Sequence, residues 1–222
     1  MELTNTLQIY PKRAMLSTVA RFSIYTLGIT LLGAALPSLA QYNDAAVFKE
    51  NGAVEWLQLG FLVVASTMYF RQAIASASYR PIFLVLASVS AFAAVREMDA
   101  NIDAILPWIG WKAGYAFIVL AGVIAYTNKE QVRRQVFQLL NSRAFSLLWA
   151  GFIVAIPFAQ LVGNGAFLHA IMDEDYSRDY KRIIEEVGEL MGYGLLLLGG
   201  FELILQNRAT VESSDTATAD DR

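Results

Sequence analysis

Long apolar blocks alternate with short charged stretches along this chain, and no other feature restricts its fold as strongly. The blocks fall at residues 16–36, 52–70, 81–95, 112–126, 144–162 and 184–206. About 20 residues at roughly 1.5 Å rise per residue cross a hydrocarbon core of roughly 30 Å. The composition agrees: 56% of the 222 residues are hydrophobic and 17% charged, against roughly 45–50% and about 25% in ordinary soluble domains. The pattern predicts an all-α, polytopic membrane protein built as a six-transmembrane-helix bundle over residues 16–206.

Between the blocks, the punctuation is consistent with that reading. Residues 1–15 form a polar lead-in with Lys12 and Arg13, and Arg21 lies close enough to the start of block one to snorkel to the interface. Leu36-Pro37-Ser38-Leu39-Ala40-Gln41 has small residues at signal-peptidase spacing. The preceding block, however, exceeds the usual 7–15 residue core of a cleaved leader, so a first transmembrane helix is the reading adopted. Pro81 suits the first turn of the third helix. Trp108 and Trp111 fit an interfacial aromatic belt. Asn128–Arg143, with Lys129, Arg133, Arg134 and Arg143, reads as an amphipathic helix on the membrane surface that binds anionic headgroups. The small, polar tail at 207–222 is expected to be disordered.

Basic residues set the orientation. With the N-terminus inside, Lys12, Arg13, Arg21, Arg71, Arg80, Lys129, Arg133, Arg134, Arg143, Arg208 and Arg222 fall on the cytoplasmic side. Lys49, Arg96, Lys112, Arg178, Lys181 and Arg182 fall on the other. The excess predicts N-in/C-in topology by the positive-inside rule.

That orientation gathers carboxylates at the outer boundary. Glu55, Glu97, Glu185 and Glu189 each lie near the outer end of a block, with Asp99 just beyond. Gln58 is one turn below Glu55, Gln160 and Asn164 close the fifth block, and Tyr193 shares a helical face with Glu185 and Glu189. Arg96 is the natural counter-charge. Glu55, Gln58, Arg96, Glu97, Asp99, Gln160, Asn164, Glu185 and Glu189 are therefore the expected lining of an acidic polar pocket. Gly188 and Gly192 make a small-residue face on which a membrane-protein partner or a second copy is expected to pack. Glu202 is expected near the inner interface, beside Arg208.

Three chemistries suit such a pocket. Carboxylate and amide oxygens hold hard divalent cations, with Glu55, Glu97, Glu185, Glu189 and His169 as candidate ligands. Closely packed carboxylates carry protons, as in transport relays. An acid–base pair beside Arg96 would act on a lipid or lipid-linked headgroup. The absence of Cys rules out disulfides and iron–sulfur clusters, and the single His rules out bis-His haem. A net charge of −3 argues against nucleic acid, because phosphate binding needs a clustered basic surface. Elbow, zincin and phosphate-loop motifs are missing from the sequence.

The combination N-G-x-x-E-W at 51–56, R-E-x-D at 96–99 and E-E-x-x-E-L-x-G-Y at 185–193 resembles small bacterial inner-membrane proteins. The resemblance implies no activity. The leading expectation is a transport-related or sensing role that binds a cation, proton or small polar ligand. The alternatives are a membrane enzyme working on lipid headgroups and a structural or assembly subunit without chemistry.

Overall fold

The computed structural model describes residues 12–220, which form helices joined by short turns, with no strand among the described residues. In chain order they are α1 (Lys12–Asn43), α2 (Ala53–Ala75), α3 (Arg80–Glu97), α4 (Asp99–Ile105), α5 (Tyr115–Thr127), α6 (Lys129–Leu140), α7 (Arg143–Ile153), α8 (Ala159–Val162), α9 (Gly165–Met172) and α10 (Arg178–Asp220). Among the described residues six helical stretches are long and apolar enough to cross a bilayer: Leu16–Gln41, Ala46–Ala75, Ala77–Glu97, Gly110–Thr127, Arg143–Val162 and Arg178–Asn207.

Pro81 takes the expected place in the first turn of α3, and Asn128–Arg143 does contain a helix, α6. In the fifth span Pro157 sits within a π-helical turn, Val154–Phe158, that links α7 to α8. Proline has no N–H for the helical ladder and its ring crowds the preceding turn, so the backbone widens there. Two boundaries differ from the sequence expectation. α1 continues through Pro37 to Asn43. α10 continues through residues 207–220, where a disordered tail was expected, because neither Gly nor Pro follows Gln206 to stop it.

α10 is the axis of the bundle. Half of its most apolar window is buried, compared with 6% in α1. Glycines make this possible. A Cβ on Gly188 would lie 2.8 Å from that of Ala159, one on Gly192 would collide with Ala155, and one on Gly199 would lie 2.8 Å from Leu148 Cγ. The Gly188/Gly192 face is thus filled by the fifth span of the same chain, and the expected partner or second copy has no room there. On its other sides α10 packs Leu190 against Val54 and Leu36, Tyr193 against Leu59, Leu62 and Ala94, and Ile204 against Tyr69, Phe83 and Ala87.

α1 is held on the outside of this axis by a polar clamp. Glu202, fully buried, accepts hydrogen bonds from Arg21 Nε and Nη2, both at 3.1 Å, from Tyr25 Oη at 3.2 Å and from Gln206 Nε2 at 3.1 Å. Arg21 therefore turns inward rather than snorkelling and pairs with Glu202, whereas the side chain of Arg208, the expected neighbour, lies outside the described residues. A buried carboxylate is costly unless its charge and lone pairs are met, and the bidentate fork of Arg21 meets both.

Candidate functional site: a charged cavity at one end of the bundle

Two long-range contacts bring three helix ends together. Gln58, near the start of α2, bonds to Glu186, near the start of α10. Arg96, at the end of α3, reaches Tyr193 of α10. Between these ends lies a cavity of about 290 Å³ whose lining residues are all charged. Seven are carboxylates (Glu50, Glu55, Glu97, Asp99, Glu185, Glu186, Glu189) and four are cations (Arg96, Arg178, Lys181, Arg182). Local electrostatics favour part of this placement: Glu55 lies in the first turn of α2 and Arg96 in the last turn of α3, each matching the sign of its helix end.

The floor is a compact network. Arg96 Nη2 lies 2.7 Å from Glu97 Oε1, 3.2 Å from Tyr193 Oη and 3.4 Å from Glu189 Oε1. The Tyr193 hydroxyl donates to Glu97 Oε1 at 2.7 Å. The Glu97 and Glu189 side chains are only 7% and 10% exposed, whereas Arg96 is 42% exposed. One guanidinium nitrogen thus serves both buried acids, and its single positive charge offsets one of their two negative charges. Among the described residues Arg96 Nε and Nη1 have no hydrogen-bond partner, which leaves them to donate elsewhere.

Gln58 lies beneath the wall, wholly buried, and its Nε2 donates to the Glu186 carbonyl and to Glu186 Oε2, each at 3.0 Å. Its Oε1 is buried without a partner. On the rim, Lys181 Nζ pairs with Glu185 Oε2 at 2.9 Å. The Asn51 N–H donates to Glu55 Oε2 at 2.5 Å.

Of the residues expected from the sequence, Glu55, Arg96, Glu97, Asp99, Glu185 and Glu189 line the cavity, and Gln58 supports it. Gln160 only touches its edge, with Nε2 3.5 Å from Glu189 Oε1. Asn164 does not belong to it. Its Oδ1 accepts from the Ala166 and Phe167 N–H groups at 3.0 and 3.1 Å and caps α9, the ordinary work of Asn at a helix start. His169 rests against the Tyr176 ring, centroids 4.0 Å apart.

The divalent-cation site expected from Glu55, Glu97, Glu185, Glu189 and His169 is not assembled. Among the described residues no three His, Asp or Glu side chains form a group able to hold a metal ion. The cause is local: Glu97 and Glu189 face Arg96, Glu185 faces Lys181, and His169 faces Tyr176.

Glu50, Glu186, Arg178, Lys181 and Arg182 were not among the expected lining residues. The α10 group had a signal in its spacing: 178, 181, 182, 185 and 189 follow the i, i+3, i+4 rhythm of one helical face. No protein-family model, curated protein or solved structure matches the chain.

Proposed function

We propose that this is a bacterial inner-membrane protein with six spans and both termini in the cytoplasm, whose charged cavity opens at the outer boundary and binds a small charged ligand in a transport-related or sensing role. The carrying observation is the wall itself: every residue lining the cavity bears a charge. Ionisable groups at the ends of apolar helices are costly to hold together, and where they converge they mark ligand or ion sites. A purely structural set of charges would pair off completely. Here Arg96 donates through Nη2 alone and keeps donors for a further acceptor, and the buried Gln58 Oε1 accepts no hydrogen bond.

The positive-inside count supports the orientation. The apolar flanks of α1 and α5, including Leu27, Leu31, Val119 and Val123, support insertion, since they are exposed and suit lipid. The test is thermal unfolding of the detergent-solubilised full chain with a panel of small ammonium compounds, amino acids and organic acids. Binding at a hundred times Kd stabilises by about 2.7 kcal/mol. A shift for at least one solute, lost in Glu189→Gln, is the expected result, and no shift with any of them contradicts the proposal.

A further inference from the structure

The cavity separates its charges. The charge of Arg96 is met by Glu97 and Glu189 through Nη2 alone, and Lys181 pairs with Glu185. Glu186, the one lining acid left on α10, accepts from Gln58 Nε2, and two sets of lining charges remain. Glu50, Glu55 and Asp99 stand beside α2 and at the start of α4, and Glu55 lies within electrostatic reach of Glu50, Glu97 and Asp99. On the α10 side Arg178 and Arg182, four residues apart, share a face. Among the described residues, neither arginine has a carboxylate within 4.0 Å, and none of Glu50, Glu55 and Asp99 has a cation within 4.0 Å. Each set repels itself, and the two do not reach each other across the cavity.

We infer that the cavity holds a zwitterion, its ammonium group on Glu50, Glu55 and Asp99 and its acid group on Arg178 and Arg182. A simple cation would relieve only the acidic wall, and a simple anion only the arginines. One small molecule with both charges bridges them. A volume of about 290 Å³ lies at the lower end of ligand pockets, which limits the ligand to a short molecule such as an amino acid or phosphoethanolamine. The same chemistry occurs free in solution and as the headgroup of a zwitterionic phospholipid.

This inference rests on the ligand-binding reading above, and the test keeps the two apart. Phosphoethanolamine, ethanolamine and inorganic phosphate are titrated separately against the full chain in detergent. Phosphoethanolamine binds at least ~10-fold more tightly than either half, because each wall adds charge-assisted hydrogen bonds. In Arg178→Ala/Arg182→Ala that advantage over ethanolamine disappears. Glu55→Gln weakens both amines, and a double Lys replacement at 178 and 182 restores part of the loss.

Ethanolamine binding as tightly as phosphoethanolamine, with no effect of the double Ala variant, overturns the zwitterion and leaves ligand binding standing. No binding by any of the three, to protein that still melts cooperatively, overturns the zwitterion, and no shift with the wider panel above removes the ligand-binding reading as well. Nanodiscs separate the sources. If the headgroup is the ligand, added phosphoethanolamine stabilises protein in phosphatidylglycerol discs and not in phosphatidylethanolamine discs. Equal stabilisation in both assigns the site to a free solute, and both results uphold the zwitterion.

Discussion

The Tyr193 hydroxyl donates to Glu97 Oε1 at 2.7 Å, across a sequence separation of 96 residues, and so ties the middle of α10 to the last turn of α3. Glu97 is 7% exposed, so this bond and Arg96 together satisfy a carboxylate that water barely reaches. Tyr193→Phe removes the donor and keeps the ring packed against Leu59, Leu62 and Ala94. The expected loss is about 1–2 kcal/mol, the cost of one buried hydrogen bond. It is read as a lower midpoint of thermal unfolding. An unchanged midpoint would show that the bond does not support the cavity floor.

The clamp between α1 and α10 makes a second, asymmetric prediction. Arg21→Ala leaves the fully buried Glu202 charge without its counter-ion, and the expected cost is about 3–5 kcal/mol. Replacing both partners with apolar residues, Arg21→Met with Glu202→Leu, recovers most of it, because neither charge then needs matching. Unfolding midpoints of the three proteins give the answer. A double variant as unstable as Arg21→Ala would contradict this account of the clamp.

Close approach of helices predicts a third outcome. Gly192→Ala forces a Cβ into Ala155 and separates α10 from the fifth span, at about 1–3 kcal/mol as overpacking costs elsewhere. Gly60→Ala has nothing within 4 Å of the new Cβ and is the matched control. Equal stability of the two variants would mean that the Gly192 face is not packed as described.

Much of the architecture is readable in the sequence because length and polarity alone specify a bilayer-spanning helix. The acids of α2, α3 and α10 could be placed at one level once orientation was fixed, and Glu55, Glu97, Asp99, Glu185 and Glu189 do share a cavity. What could not be read was pairing across the bundle. Arg21 and Glu202 are 181 residues apart, and nothing local distinguishes an arginine that snorkels from one that turns inward. Asn164 failed for a similar reason, since a polar residue at a helix end caps its own backbone as readily as it lines a pocket. Small residues on a helix mark close packing without saying whether the neighbour belongs to the same chain.

Orientation has a direct test, because the chain contains no Cys and single thiols need no background removed. Asn51→Cys, beside the cavity, is expected to react with a membrane-impermeant maleimide in intact cells. Asn141→Cys, exposed at the other end after α6, is expected to react only after permeabilisation. The reverse pattern would invert the topology and place the cavity on the cytoplasmic side.

Protection of a thiol inside the cavity tests the central claim most directly. Lys181 lines the cavity and is 36% exposed, so Lys181→Cys reports on occupancy without removing Arg178, Arg182 or the acidic wall. Its rate of modification by a small thiol reagent is measured with increasing phosphoethanolamine, glycine or ethanolamine, with Asn141→Cys as the control. A saturable slowing at 181 and none at 141 is the predicted result. Equal rates at 181 with and without every one of these solutes would contradict the charged cavity as a ligand site.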